Sequence, residues 1–187
     1  MRQWKNEDFS VFALMNADPV VMEYFPRTLN ENESNEMALK IQALIFERGW
    51  GFWAVEEKDQ ENFIGFVGLH MPLAELPFTP CVEIGWRLAK EFWGKGYTTE
   101  AANAALSVAF EQLNLSKVYS FTSVDNSKSR AVMERLYMMN THQNFEHPSV
   151  PEGHLLREHV LYKLTKYRWE RFVGCNSSPK AIPPVVR

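Results

Sequence analysis

Residues 81–113 constrain the fold more than any other part of the chain. The stretch opens with CVEIGWRL, which has the aromatic and β-branched residues typical of a strand. It ends with a run from Thr99 to Leu113 whose apolar positions fall on one face of a helix. Between them lies the segment WGKGYTT, residues 93–99. A strand that turns into a helix through two glycines predicts a sheet with helices packed against it.

The remaining patterns place more helices and strands around this stretch. Residues 6–8 predict the start of a helix, and apolar positions in 37–45 predict an amphipathic helix that Gly49 ends. Aromatic and β-branched runs predict strands, prolines predict a loop, and the hydrophobic pattern after Asn126 predicts one more helix. The predicted strands are 50–56, 62–70, 81–88, 117–124 and 156–164. A loop is predicted at 71–80, a helix at 127–139, and a loop with Pro148 and Pro151 between that helix and the last strand. This order predicts one mixed α/β or α+β domain.

Composition excludes several classes of protein. The chain has 187 residues, of which 13% are aromatic, enough for one domain with a real core. The sequence contains no run of about 18 apolar residues, so it predicts no membrane-spanning helix. A net charge of −3 gives no basic field for nucleic acid. Two distant cysteines, Cys81 and Cys175, make no disulfide framework, so we expect a cytoplasmic protein.

The glycine pair at 94 and 96 has chemistry of its own. Glycine lets a backbone turn tightly and approach a ligand closely. The helix that follows begins with unpaired N–H groups and a partial positive charge, which favour an anion such as a pyrophosphate. The sequence has no G-x-x-x-x-G-K-[ST] pattern, so a Walker loop is excluded. The dinucleotide fingerprint G-x-G-x-x-G is excluded because Thr99 stands where its third glycine would be needed. Spacing alone leaves an ordinary strand–helix turn equally open.

Two longer stretches carry a family resemblance. EIGWRLAKEFWGKGYTTEAANAAL (83–106) and VDNSKSRAVMERL (124–136) closely resemble the GNAT superfamily of acetyl-CoA-dependent N-acetyltransferases. The match is to the branch similar to the RimJ/RimL protein N-terminal acetyltransferases. It covers about residues 2–166, which implies an acetyltransferase domain at 1–166 and a basic tail at 167–187. The implied fold is a mostly antiparallel sheet flanked by helices and splayed between its fourth and fifth strands.

The resemblance also implies a cofactor site, with acetyl-CoA as co-substrate and no metal. Backbone amides of 95–99 would hold the CoA pyrophosphate, and strand 86–88 would pair with the pantetheine arm. Asn126 would contact the pantetheine, although capping the next helix is an equally open role. Trp93 and Thr98 depart from the family's usual loop residues. The implied cofactor-binding residues are Trp86, Arg87, Leu88, Trp93, Gly94, Lys95, Gly96, Tyr97, Thr98, Thr99, Asn126 and Ser129.

The catalytic residues follow less directly. The tyrosine that many relatives use as general acid is replaced here by Met133. Ser129 aligns with the serine that protonates the CoA thiolate in RimL-like enzymes. Glu83 is the first candidate for the general base, with Glu146 or Glu152 next, and an ordinary solvated carboxylate is the alternative for each. Tyr137 replaces the glycine of the family's turn, so we expect a distorted helix end there.

The late histidines suggest a metal site, but their spacing opposes it. Intervals of five, seven and five residues separate His142, His147, His154 and His159, not the i, i+4 spacing of a helical metal pair. We therefore expect no metal. Alternation in the last strand instead predicts His159 on one face and Val160 on the other.

The function implied is direct acetyl transfer to a primary amine, with backbone N–H groups stabilising the oxyanion. An α-amine with a pKa of 7.8 is about 14% neutral at pH 7, whereas a free lysine is about 0.04% neutral. We therefore expect a protein N-terminus as acceptor. Two alternatives stay open: a small amine such as a polyamine or aminoglycoside, and a non-catalytic acetyl-CoA-binding module. We expect neither nucleic acid nor membrane as a partner.

The start of the chain raises one more expectation. Residues 2–4 resemble the end of the family's first strand, of which the rest is absent from this sequence. The strand at 50–56 would then be an exposed edge, a hazard for aggregation. We expect it to be covered by residues 1–4, by the tail with Trp169 and Phe172, or by a second subunit in a homodimer. The alternative is a longer natural protein.

Overall fold

A computed structural model describes residues 1–58 and 61–172. Its helices and strands follow the order that the sequence predicts. The helices are α1 (Asp8–Ala17), α2 (Glu31–Arg48), α3 (Tyr97–Ser107), α4 (Ser127–Arg135) and α5 (Lys166–Phe172). The strands are β1 (Phe52–Glu57), β2 (Asn62–His70), β3 (Glu83–Leu88), β4 (Lys117–Ser123), β5 (Met139–Asn140), β6 (Phe145–Glu146) and β7 (Glu158–Thr165).

The seven strands form one sheet in the order β1-β2-β3-β4-β7-β5, with β6 also pairing with β7. Neighbours are antiparallel except β3 and β4, which run parallel. Within the described residues, β3 and β4 share a single register pair, Glu83 opposite Tyr119. The Tyr119 amide donates to the Val82 carbonyl over 3.0 Å. Beyond this junction the two strands are unpaired, which leaves an opening between them. Counted with residues 2–4 as the family's first strand, β3 and β4 are its fourth and fifth strands, so the opening confirms the predicted splay.

Helices cover both faces of the β1–β3 half of the sheet. Strand β2 is buried along almost its whole length, so each face needs a cover. On one face, Phe12 of α1 packs edge-on against Phe66, with ring centroids 5.9 Å apart. On the other face α3 packs against β2 and β3 with the fully buried Ala102 and Ala105. Gly49 ends α2 in the left-handed conformation at φ 78°, as predicted.

The N-terminal residues cover the outer edge of β1. Arg2 and Ala54 exchange two backbone hydrogen bonds of 3.0 Å, and the Trp4 indole N–H donates to the Phe52 carbonyl. Trp169 packs elsewhere, against Phe110. Of the three covers expected, residues 1–4 are the one that the structure shows on this edge.

Three local predictions need correction. The helix predicted at 99–113 is α3 followed by a π-helical turn, Val108–Gln112. The helix predicted at 127–139 ends at Arg135, because Tyr137 adopts a left-handed φ of 59° that a helix cannot continue through. The stretch around 139–146 forms β5 and β6 rather than a plain loop, since both pair with β7. Cys175 and residues 173–187 of the predicted tail lie outside the described residues.

Candidate active site

The glycine loop follows β3 directly. After Leu88 comes a 3-10 turn, Lys90–Phe92, and then Gly94 and Gly96 at φ 74° and 87°. A Cβ placed on either glycine would find no heavy atom within 4 Å. The loop therefore presents its backbone to open space at the N-terminus of α3, the geometry that an anion-binding turn requires.

Aromatic side chains hold this loop in place. The Trp93 indole N–H donates to the Leu88 carbonyl over 2.8 Å, and the Tyr97 hydroxyl donates to the carboxylate of Glu57. The rings of Phe92 and Tyr97 lie 6.2 Å apart. The side chains of Trp93 and Tyr97 thus anchor the loop to β3 and β1.

The start of α4 lies across the opening from this loop. The Asn126 side-chain oxygen accepts from the Ser129 amide over 3.0 Å, and its Nδ2 donates to the Thr122 hydroxyl over 2.9 Å. Lys128 Nζ lies 4.7 Å from the centre of the Trp93 ring, which brings the two helix starts together. Asn126 therefore has the capping role, and the cap orients the first turn that carries Ser129.

The electrostatics of this end favour an anion. Two helix N-termini contribute partial positive charge to the same opening. Lys128 contributes a full charge beside Trp93, although its Nζ also lies 3.8 Å from the Glu23 carboxylate. Lys95 Nζ sits 5.2 Å from the centre of the Phe92 ring. This end of the opening can therefore hold a phosphate-bearing ligand.

Glu83 marks the narrow end of the opening, where β3 and β4 still touch. Burial without a cationic partner raises the pKa of this carboxyl to about 8. The two other predicted bases differ from it. Glu146 is 69% exposed in its side chain and binds Arg157 over 2.9 Å, and Glu152 is exposed. Of the three, Glu83 is the carboxylate at the junction of the two strands.

Arg87 lies on β3 but turns its side chain away from the opening. Its Nη1 donates to the Asn16 side-chain oxygen over 2.6 Å, and its guanidinium lies between the rings of Phe25 and Phe66. Burial lowers the pKa of Arg87 to about 10. Leu88 is buried as well, so in strand 86–88 the backbone is the part available to a cofactor.

The comparisons with known proteins decide the family. The acetyltransferase (GNAT) domain profile matches residues 1–139. The chain belongs to the GNAT acetyltransferase family. A relative from Aspergillus fumigatus, FsC-acetyl coenzyme A-N(2)-transacetylase, is 29% identical over 172 residues, covering 89% of this chain and 72% of the relative.

Two solved structures share the fold of this GNAT protein. Ribosomal-protein-S5-alanine acetyltransferase from Vibrio fischeri matches with a TM-score of 0.66 at 19% identity, covering 90% of this chain and 93% of its own. Spermidine N-acetyltransferase from Vibrio cholerae, in complex with CoA and spermine, matches with a TM-score of 0.69 at 22% identity. That match covers 90% and 95% of the two chains. The protein is therefore an acetyl-CoA-dependent N-acetyltransferase of GNAT fold.

Residues outside the CoA loop complete the description of this acetyltransferase. Met133, at the position of the family's tyrosine, is fully buried. Among residues 1–58 and 61–172, no three histidine, cysteine or acidic side chains are close enough to hold a metal ion. In the same residues, no helix is both long and apolar enough to cross a membrane.

The sequence did not single out the aromatic residues around the junction. Tyr119, opposite Glu83, stacks near Phe78, with ring centroids 5.2 Å apart, and Phe121 lies beyond them. Alternation in 117–124 places Tyr119 and Phe121 on one face of the strand, so this pattern could have identified both residues as neighbours. The contribution of Phe78 depends on the path of a proline-rich loop, which has no such pattern.

Proposed function

We propose that this GNAT protein transfers acetyl directly from acetyl-CoA to the α-amine of a protein N-terminus, as the RimJ/RimL branch does. One observation carries the proposal. The glycine loop and the start of α4 face the wide end of one opening, and Glu83 stands at its narrow end. A cofactor held by its phosphates at the wide end would extend its thioester toward that carboxyl.

The cofactor contacts follow from this placement. Backbone amides of residues 95–99 would hold the pyrophosphate, because the glycines leave that side of the loop open. The edge of β3 that faces β4 at residues 86–88, opposite its pairing with β2, would bind the pantetheine arm as a neighbouring strand would. Ser129, oriented by the Asn126 cap, would lie near the thiol end.

The chemistry needs a neutral amine and two proton transfers. The amine nitrogen attacks the thioester carbonyl, its C–N bond forms, and the C–S bond of the tetrahedral intermediate then breaks. Glu83 takes the proton that the nitrogen loses and later gives it to water. The Ser129 hydroxyl donates a proton to the departing CoA thiolate and regains one from water. A base with a pKa near 8 suits an α-amine, whose own pKa is about 7.8.

Met133 supports one other candidate, a module that binds acetyl-CoA without turning it over. Its thioether can neither give nor take a proton at the position of the family's tyrosine. This candidate shares the cofactor site with the main proposal and differs only in chemistry.

Turnover with a panel of amines tests the proposal. CoA release is measured with acetyl-CoA and a peptide with a free N-terminus, an N-acetylated peptide containing lysine, spermidine, and an aminoglycoside. We expect the free N-terminus to have the highest kcat/KM, and mass spectrometry should place the acetyl group on its α-amine. Faster turnover of spermidine or the aminoglycoside contradicts the protein acceptor. CoA binding by calorimetry without any turnover supports the module.

We also propose that residues 1–166 are the catalytic domain and that the protein forms a homodimer in the cytoplasm. Exposed apolar side chains on α2, among them Phe46 at 82% exposure, support a subunit contact. The half-buried Cys81 thiol supports a reducing compartment. Sedimentation equilibrium tests the dimer, and a monomer at micromolar concentration contradicts it.

A further inference from the structure

Six aromatic rings form a continuous surface on the β4–β7 half of the sheet, and we call it the aromatic wall. The rings come from strands β4, β6 and β7 and from the loops beside them. The contacting pairs have ring centroids between 4.9 and 6.2 Å apart. The members are Phe78, Tyr119, Phe121, Phe145, His147 and His159. All but Tyr119 are only half-buried, so the wall keeps uncovered ring surface.

The wall begins next to Glu83. Residues in register on neighbouring strands point to the same face, and the strands lie about 4.8 Å apart. Because Tyr119 is the register partner of Glu83, the first ring of the wall is the nearest neighbour of that carboxyl across the junction. Phe78 lies directly beyond, 5.2 Å from the Tyr119 ring centre.

The acceptor has to reach the thioester from this face. On the opposite face of the sheet, α3 and α4 are packed closely, with Ala102, Ala105 and Met133 fully buried. On the Glu83 face, the main helix contacts of the described residues are α1 with β2 and α2 with β1, away from the junction. This step rests on the proposed function, which places the thioester between β3 and β4.

The wall is uncharged near neutral pH. Burial lowers the pKa of His147 to about 4 and lowers that of His159 as well, so both rings are neutral. His147 Nδ1 accepts from the Ser149 amide, and His159 Nδ1 lies 3.0 Å from the Arg157 carbonyl.

The charged groups around the wall are mostly occupied. Glu146 pairs with Arg157, and Glu158 accepts from Asn144. Lys117 stands at the margin, with its Nζ 5.5 Å from the centre of the Tyr119 ring. Glu83 is thus the carboxylate at the wall for which the described residues show neither an ion pair nor a side-chain hydrogen bond.

From this surface we infer that the acceptor is a peptide whose first residue has an aromatic or large apolar side chain. That side chain lies on the aromatic wall, and its amine reaches Glu83. A polyamine or an aminoglycoside would need several carboxylates for its several cations, and at the wall only Glu83 has no side-chain partner among the described residues. The cations nearest Tyr119, Lys117 and its register partner Lys163, lie beside the first ring and not along the rest of the wall.

Peptides that differ only in their first residue test this inference. We compare kcat/KM for Phe, Leu, Ser and Glu at that position, with the later residues fixed and free of lysine. One methylene in a hydrophobic pocket is worth roughly 10–200-fold, so the larger side chains of Phe and Leu should exceed Ser by at least about tenfold. The Phe/Ser ratio is then measured in Phe121→Ala and Phe145→Ala, where it should fall to within about threefold.

Two controls keep the result interpretable. Tyr167→Ala removes an exposed ring on α5, away from the wall, and should keep the wild-type ratio. CoA affinity by calorimetry shows that each variant is folded, and Phe121→Leu replaces Phe121→Ala if the latter is not.

The outcomes separate this inference from the function beneath it. Acetylation of all peptides at similar rates, or a preference for Glu, overturns the apolar acceptor but leaves N-terminal acetylation intact. An unchanged Phe/Ser ratio in both wall variants would show that the aromatic wall does not bind the first side chain of the peptide. No acetylation of any peptide overturns the proposed function itself.

Discussion

Glu83 is a buried carboxyl, and in the described part of the chain no cation pairs with its negative charge. This environment sets the pH at which Glu83 ionises. Burial disfavours the charged form, so its pKa rises to about 8 from a usual 4.5. Below pH 8 the group is mostly protonated and cannot accept a proton. Above pH 8 it is a carboxylate and can act as a base.

Replacing Glu83 with Gln should therefore change both the rate and its pH profile. General-base catalysis is typically worth 100-fold or more, so at pH 9 we expect kcat/KM to fall by about 100-fold. The ratio of wild type to variant should rise from pH 7 to 9, since the acceptor's own titration cancels in it. Steady-state rates across that range measure the ratio. A ratio independent of pH would assign the base to another group.

Ser129 belongs to the same chemistry at the other end of the reacting bond. We expect Ser129→Ala to lower kcat by at least about tenfold and to leave the Kd for CoA within about threefold, because a hydroxyl near the leaving sulfur acts mainly in the transition state. Its backbone N–H still bonds Asn126 in the variant, so the helix cap survives. Turnover and calorimetry give the two numbers. Weaker CoA binding with an unchanged kcat would make Ser129 a cofactor contact only.

At the scale of elements, Arg2 ties an edge strand to a helix. Its guanidinium binds the Asp8 carboxylate at the start of α1 and Glu56 on β1, and the Asp8 side chain is 3% exposed. Arg2 also holds the pKa of Glu56 below its usual value of 4.5. Losing the cation would leave the buried Asp8 carboxylate without its ion pair.

We expect Arg2→Ala to lower the free energy of unfolding by about 2–3 kcal/mol at pH 7, since one partner of a buried pair is left behind. Arg27→Ala breaks the exposed pair with Glu33 and should have a much smaller effect. The Arg2 effect should shrink as the pH falls below 4.5, because Glu56 takes up a proton there in the unfolded chain and only at lower pH in the native state. Urea titration measures both variants, and equal losses would contradict the role of burial.

The glycine loop can be tested against a matched glycine elsewhere. Gly96 and Gly153 have φ of 87° and 76°, and a Cβ on either meets nothing within 4 Å. Valine is therefore strained at both positions. Only at Gly96 does its side chain enter the space where the loop is proposed to hold phosphate. We expect Gly96→Val to weaken CoA binding more than tenfold by calorimetry and Gly153→Val to leave it unchanged. Equal affinities would place the pyrophosphate elsewhere.

The sequence anticipated the elements with strong local patterns and missed those defined by distant partners. Helix α2 and its Gly49 cap, the β1–β2 hairpin and the alternation of His159 with Val160 follow from periodicity. The short strands β5 and β6 exist because β7 lies beside them, which no local pattern shows. At the candidate site, the glycine loop was visible in the chain, whereas the aromatic wall is assembled from segments about 80 residues apart.

At the scale of the whole molecule, the two parts of the sheet meet at one parallel register pair, and the proposed cofactor contacts both. A ligand at 100 times its Kd stabilises a folded protein by about 2.7 kcal/mol. For a domain of this size that corresponds to about 5–10 °C in Tm. We expect CoA to raise Tm by that amount in the wild type and by much less in Gly96→Val. An unchanged wild-type Tm at saturating CoA would contradict a ligand that spans the opening.

The lone register pair between β3 and β4 also makes the molecule divisible. A cut between the π-helical turn and β4 would leave one fragment with the glycine loop and another with α4. The contacts between them include α3 on α4, Phe110 on Trp169, Phe78 on the rings of β4 and β6, and one strand junction. Coenzyme A would then add a bridge between the two pieces. The fold thus has the layout of a split reporter, in which reassembly of two co-expressed fragments registers the concentration of a metabolite.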